Sequence, residues 1–219
     1  MKKLTLVLSA VAIVAGPVAA SAQGFGVAAR AGTLGLGAEA AVGLGESVAV
    51  RGGLGLVPFE LNATIDEMAV SLELPRTWYN VGLDLYLNGA FRMGGGMLFK
   101  PDDPTLTGDF TTSQDIGGRT FTPDEIGTLT GVVDSKDSAP YVLIGFGKHT
   151  SSGVGLSLDL GLAFLGDPDV SLASEGGTFS DQAELQSRLD QEAQNFEDDM
   201  RTYLRYWPIL NLGLRIGVG

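Results

Sequence analysis

The 219-residue chain contains no cysteine. Disulfides are therefore excluded as staples, and burial and hydrogen bonding alone must hold the fold. Histidine occurs once, at position 149. No His/Cys cluster of the kind that ligates zinc or iron can form, so no cofactor or metal is expected. Ser151 and Ser152 stand close to His149 in sequence, but a hydrolase needs its histidine and nucleophile at an accessible rim. His149 reads as a solvated turn residue, and the chain as not an enzyme. Cations are scarce: 14 Lys and Arg stand against 26 Asp and Glu, a formal charge of −12. Nucleic acid requires a basic surface to neutralise its phosphates and is excluded as a partner. The acidic residues lack the regular Asp/Asn spacing of an EF-hand loop, which leaves no specific calcium site. Past the N-terminus no stretch approaches eighteen consecutive apolar residues, so no membrane-spanning helix is expected.

The N-terminus is a separate matter. Lys2 and Lys3 precede an apolar run from Leu4 to Ala15, and Ala20-Ser21-Ala22 has the small-residue pattern of a cleavage site. This predicts a secretory signal peptide over 1–22 and an exported domain over 23–219. The apolar run is too short to span ~30 Å of hydrocarbon as a helical anchor.

Glycine, in contrast, is abundant, at 32 residues. Gly35-x-Gly37-x-x-Ala40 fits a loose dinucleotide fingerprint, but it follows a loop and opens a strand rather than a helix, so the phosphate-cradling context is missing. The glycines belong instead to segments that alternate with period two, the pattern of strands with two unlike faces. Eight such segments are expected, at 25–33, 36–44, 48–56, 79–87, 91–99, 141–148, 154–164 and 210–218. One face of each is almost wholly apolar; the other is small and sparsely charged. About ten tilted residues cross the ~25 Å hydrocarbon layer of an outer membrane. Eight strands leave a bore only just wide enough for side chains, so the small face belongs inside and the bulky aliphatic face against lipid. The expected fold is all-β: an eight-stranded antiparallel up-and-down transmembrane barrel. Gly37, Gly43, Gly53 and Gly55 fall on the inner face, where glycine leaves volume for charged neighbours. Gly52 falls on the outer face, where a bulge would account for it.

The connections alternate between short and long. Turns at 45–47, 88–89 and 149–152 are tight, whereas 57–78, 100–140 and 166–207 are long and 33–36 is short. Short turns belong in the periplasm and long loops outside. Segment 101–139 carries eight acids against Arg119 and Lys136, and 166–207 carries ten acids against Arg188, Arg201 and Arg205. The first acidic loop (about 100–140) looks irregular. The second (about 166–207) contains the one expected helix, started by Ser180 or Asp181 with Glu184 at the capping-box position and ended by Trp207-Pro208. Its stripe of Leu185, Leu189, Phe196, Met200, Tyr203 and Leu204 is expected to pack on the barrel rim or neighbouring loops. Phe59, Trp78, Tyr79, Phe99, Tyr141, Tyr206 and Trp207 lie at strand ends and are expected in an interfacial girdle or in rim packing.

The inner face collects Arg30, Glu39, Arg51, Asp84, Arg92, Asp159 and Arg215. Isolated buried ions are costly, so these charges are expected to pair in a network that plugs the lumen. From these segments, the signal peptide and the C-terminal YWPILNLGLRIGVG, the chain resembles small eight-stranded bacterial outer-membrane barrels of the OmpA/OmpX-like group. The resemblance implies that Asn211, Gly213, Ile216 and Val218 form an assembly signal. The chain departs from that pattern by ending on Val218-Gly219 instead of an aromatic residue. It also implies outer-membrane lipid and the barrel assembly machinery as partners; no partner of the acidic loops is legible. The function expected is that of an outer-membrane barrel with a structural or surface-interaction role. Its alternatives are a narrow ion-conducting pore and a soluble exported lipocalin-like binding barrel.

Overall fold

The computed structural model describes residues 24–65 and 68–218; the expected signal peptide lies outside the described residues. The chain runs through β1 (Phe25–Gly32), β2 (Gly35–Gly43), β3 (Val48–Leu56), β4 (Leu61–Ile65), β5 (Met68–Glu73), β6 (Thr77–Asn88) and β7 (Phe91–Phe99). It continues through β8 (Thr105–Phe110), β9 (Gln114–Ile116), β10 (Arg119–Phe121), α1 (Pro123–Ile126), β11 (Gly127–Asp134) and β12 (Ser138–Phe146). It ends with β13 (Gly153–Phe164), β14 (Asp169–Gly176), α2 (Ala183–Leu204) and β15 (Tyr206–Val218).

Eight of these strands close a barrel in the order β1-β15-β13-β12-β7-β6-β3-β2. The fold is thus the expected antiparallel eight-stranded barrel, and its alternation holds on every strand. Closure joins the first strand to the last: Phe25 pairs with Val218, and Gly32 with Asn211. With the strands antiparallel, every long connection leaves from the same end, together with the β1–β2 turn. The tight turns occupy the other end.

Two prolines sit inside barrel strands without breaking them. Pro140 pairs with Met97 of β7 but lies beyond the β12–β13 ladder, which begins at Tyr141. Pro208 pairs with Leu162 of β13 but lies beyond the reach of β1, whose ladder with β15 stops at Asn211. In both places proline's missing N–H falls where one side of the strand has no ladder partner. Gly52 needs no bulge. It pairs regularly with Ala40 and Val81 on the outer face, and the barrel's register shift lies instead in β6, between Tyr86 and Asn88.

The long connections correct the sequence reading. They form a five-stranded sheet in the order β14-β11-β8-β5-β4, plus the β9–β10 hairpin. The 100–140 segment is therefore not irregular, and it holds a short helix, α1, beside the one expected. Each of the three long connections supplies strands to this sheet, and pairing between remote segments leaves no periodic mark on any one of them. Helix α2 also starts later and ends earlier than expected, over Ala183–Leu204 with Gln182 at its N-cap. Ser180 does not cap it, because its hydroxyl accepts the Gly177 N–H at 2.7 Å and donates to the Gly177 carbonyl at 2.9 Å. Glu184 makes no capping box but pairs with Arg119 and Arg188. Trp207-Pro208 belongs to β15, not to the helix end.

Helix α2 docks through Leu185 and Leu189, which join Ile116, Phe121 and Ile126 in a second small core. The stripe is buried only in this first half; Phe196 and Tyr203 are exposed. Arg119 stacks over Phe121 with 4.6 Å to the ring centroid. Its hydrogen bond holds the exposed Glu184 carboxyl below the usual carboxylate range. That contribution is present at neutral pH and is lost on acidification through the lowered value. Leu185→Ala is expected to cost about 2–5 kcal/mol of helix docking, seen as faster hydrogen exchange across 183–204 with the barrel strands unchanged. Glu184→Gln should move the exchange much less, because exposed ion pairs are weak.

Candidate functional site

Among the described residues the buried charges concentrate in the bore of the barrel, which is filled in two layers. The layer at the long-loop end is apolar. Trp78, Leu98, Ala139, Tyr141, Leu143, Ala163 and Ile209 point inward from the barrel strands, and Leu34 folds in from the β1–β2 turn. Trp207 packs on this cluster, its ring centroid 4.8 Å from that of Trp78. Trp78, Tyr141 and Trp207 are thus not girdle residues. Their positions share parity with the charged inner face, so they must turn inward. Phe59, Tyr79, Phe99 and Tyr206 are exposed.

The layer beneath is ionic. Arg51, fully buried, is its centre: its Nη1 lies 2.6 Å from Asp159 Oδ2 and 3.2 Å from Glu39 Oε2, and its Nε lies 3.1 Å from Asp84 Oδ2. Arg92 pairs with Asp159 and stands 3.3 Å from Asp84. Arg30 reaches Glu39 at 3.5 Å, and its Nε and Nη2 have no hydrogen-bond partner among the described residues. Three guanidinium groups thus face three carboxylates, and the buried formal charge of these six residues balances. Arg215 stands outside this set and donates from Nη1 to the Ser151 carbonyl at 2.9 Å.

Register explains how a narrow bore accepts so many long side chains. The cross-strand neighbours of Arg51 are Ala41 and Gly82, those of Glu39 are Ala28 and Gly53, and those of Asp84 are Ala49 and Gly94. Arg92 and Asp159 both flank Gly145. A Cβ at Gly145 would lie 2.7 Å from Asp159 Oδ1 and 2.9 Å from Arg92 Cζ. Small residues at these sites supply the volume that the ions occupy. Between the two layers the interior leaves a void of only about 10 Å³, bordered by Arg30, Asn80 and Asn211.

His149 corrects the sequence reading most sharply. It is fully buried, not solvated, and its Nε2 lies 2.5 Å from Glu39 Oε1. Its backbone N–H donates to the Tyr86 hydroxyl at 3.3 Å. The turn that carries it folds into the bore instead of outward, which turn length alone does not disclose. Beside it, the turn end opens in a recess of about 940 Å³ bordered by Tyr86, Lys148 and Arg215. Of the residues expected in an assembly signal, Asn211 and Gly213 face inward, whereas Ile216 and Val218 face out. Among the described residues no group of three or more His, Cys, Asp and Glu side chains is placed to hold a metal ion.

No family model and no curated protein sequence matches the chain. Two solved structures are similar in fold. The crystal structure of Acinetobacter baumannii CarO2 aligns with TM-score 0.66 and 19% identity, over 90% of this chain and 99% of that one. The crystal structure of Acinetobacter baumannii CarO aligns with TM-score 0.60 and 18% identity, over 89% and 97%. At such identities the likeness is one of fold.

Arg51 is the cation that all three carboxylates share. Arg51→Ala would leave the three buried carboxylates only the guanidinium groups of Arg30 and Arg92, and breaking a buried ion pair costs about 3–5 kcal/mol. The folded, heat-modifiable gel band should give way at markedly lower urea than in wild type. Arg215→Ala, which strands no carboxylate, should shift that midpoint far less.

Proposed function

We propose that this protein is an integral outer-membrane β-barrel, of the same small-barrel class as the OmpA/OmpX-like proteins. Its bore is closed, and its role is structural or one of surface interaction through the acidic loop domain. One observation carries the membrane assignment. Among the described residues, no outward-facing position of the eight barrel strands holds Asp, Glu, Lys or Arg. Val81, Leu83, Leu85 and Leu87 on β6, and Leu210, Leu212, Leu214 and Ile216 on β15, are exposed apolar runs of this kind. A band of that extent around a whole barrel is stable only against hydrocarbon; water would drive such surfaces together.

Closure of the bore is supported by the stacked layers. Ions would have to displace Trp78, Leu98 and Tyr141 in one layer and break the Arg51 cluster in the other. A signal peptide over 1–22 that directs export, the assembly role of Asn211, Gly213, Ile216 and Val218, and placement of the long loops outside the cell complete the proposal. The placement of the loops is supported by the single end from which the long connections leave.

Fractionation tests the membrane assignment. The protein should sediment with outer membranes and show heat-modifiable gel migration; recovery in the soluble periplasmic fraction would refute it. Leu83→Arg sharpens the test, since an arginine on the lipid face near mid-membrane costs about 2–4 kcal/mol. A soluble barrel would tolerate it. In planar bilayers the wild-type protein should give no steady unitary conductance, and conductance altered by Arg92→Ala or Asp84→Ala would replace the plug with a pore.

A further inference from the structure

The turn between β12 and β13 folds across the tight-turn end of the barrel. Its backbone lies directly on two inner-face glycines of the closing strands. A Cβ at Gly26 would lie 1.9 Å from the His149 carbonyl oxygen, and one at Gly217 would lie 2.1 Å from the Ser151 carbonyl oxygen. Neither distance leaves room for any side chain, so the seat exists only because both positions are glycine. The turn is bracketed by Gly147 and Gly153, at φ 97° and 84°, left-handed values that other residues adopt with strain.

Four strands and the β2–β3 turn hold this turn down. From β7, Arg92 Nη1 donates to the Gly147 carbonyl at 2.5 Å and the Phe146 carbonyl at 3.3 Å. From β15, Arg215 donates to the Ser151 carbonyl at 2.9 Å. From β6, the Tyr86 hydroxyl accepts the His149 N–H. Lys148 reaches across to the Glu46 carbonyl at 2.8 Å. From β2, Glu39 takes the His149 ring at 2.5 Å while its other oxygen faces Arg51 and Arg30.

We propose that Gly147–Gly153 is a strap that seals the tight-turn mouth of the barrel, with the His149–Glu39 contact as its latch. The ionic layer is then occluded between two independent closures, the apolar layer on one side and the strap on the other. Releasing the latch exposes Glu39 and the Arg51 cluster to the compartment at the turn end without disturbing the apolar layer. The strap rests on the reading of the bore as closed. The two readings fail separately, because bore closure is read by conductance and the strap by the reactivity of His149.

His149 is the only histidine in the chain, so the imidazole adduct of diethyl pyrocarbonate reports on the strap alone. In the lipid-reconstituted wild-type protein, imidazole carbethoxylation should be slow beside that of the urea-unfolded chain. Glu39→Gln should speed it about tenfold or more, the scale expected when one charge-assisted hydrogen bond holds a segment closed. Gly26→Ala leaves both latch residues in place but fills the seat, and should accelerate the reaction likewise; it serves if Glu39→Gln fails to fold. Heat-modifiable migration identifies the folded variants. A wild-type His149 that reacts as fast as in the unfolded chain would overturn the strap, as would folded Glu39→Gln and Gly26→Ala proteins that protect His149 as wild type does.

Discussion

Three carboxylates converge on the guanidinium of Arg51, and the rest of the barrel is arranged to permit it. An outer face without a charged side chain among the described strand residues leaves every barrel charge to a bore that eight strands make narrow. In that space a charge survives only if it is paired and hydrogen-bonded. Arg51 touches Glu39, Asp84 and Asp159, which come from β2, β6 and β13. One side chain thus ties together strands on opposite sides of the sheet, and the register of each strand must bring its acid to the same level. The glycines and alanines opposite the ions follow from the same requirement. They are the volume left over for the ions, and Gly145, flanked by both Arg92 and Asp159, has room for nothing larger.

Two kinds of filling divide the bore, and the division has a physical basis. At the long-loop end the chain continues beyond the barrel strands into the five-stranded sheet, and larger inward residues such as Trp78 and Tyr141 fit there. At the tight-turn end the bore is short of covering chain, and the His149 turn supplies it. The same end holds the cations Arg92 and Arg215, and the turn's carbonyls accept from one Nη1 of each. The ionic layer, the strap and the glycine seat are therefore mutually dependent, whereas the loop sheet with α2 has its own small core around Leu185 and Phe121.

The barrel was legible in the sequence because period-two alternation is local. Parity alone sent Arg30, Glu39, Arg51, Asp84, Arg92 and Asp159 to one face, and closure brings these six within ion-pair reach. Arg215 shares their parity but sits a level away, too near the turn end to join them. Trp78 and Tyr141 also carried the inner parity; their place at strand ends suggested a girdle or rim packing, and their inward face excludes the girdle. What was not legible is non-local. The loop sheet pairs β5, β8, β11 and β14 across remote connections, so no single segment displays the partner that stabilises it. The burial of His149 depends on the absence of a Cβ at Gly26 and Gly217, far from it in sequence.

The central claim is that the aliphatic face of the barrel meets lipid and the charged face does not. Because the chain has no cysteine, a single spin label can be placed at each position from 79 to 86 of β6 in turn and the protein reconstituted in bilayers. Collision rates with oxygen, which partitions into lipid, should peak at 79, 81, 83 and 85 and fall at 80, 82, 84 and 86, while a water-soluble nickel chelate reaches none of the four peaks. Ready access of the nickel chelate to positions 81 and 83, or accessibility without a period of two, would contradict the membrane barrel.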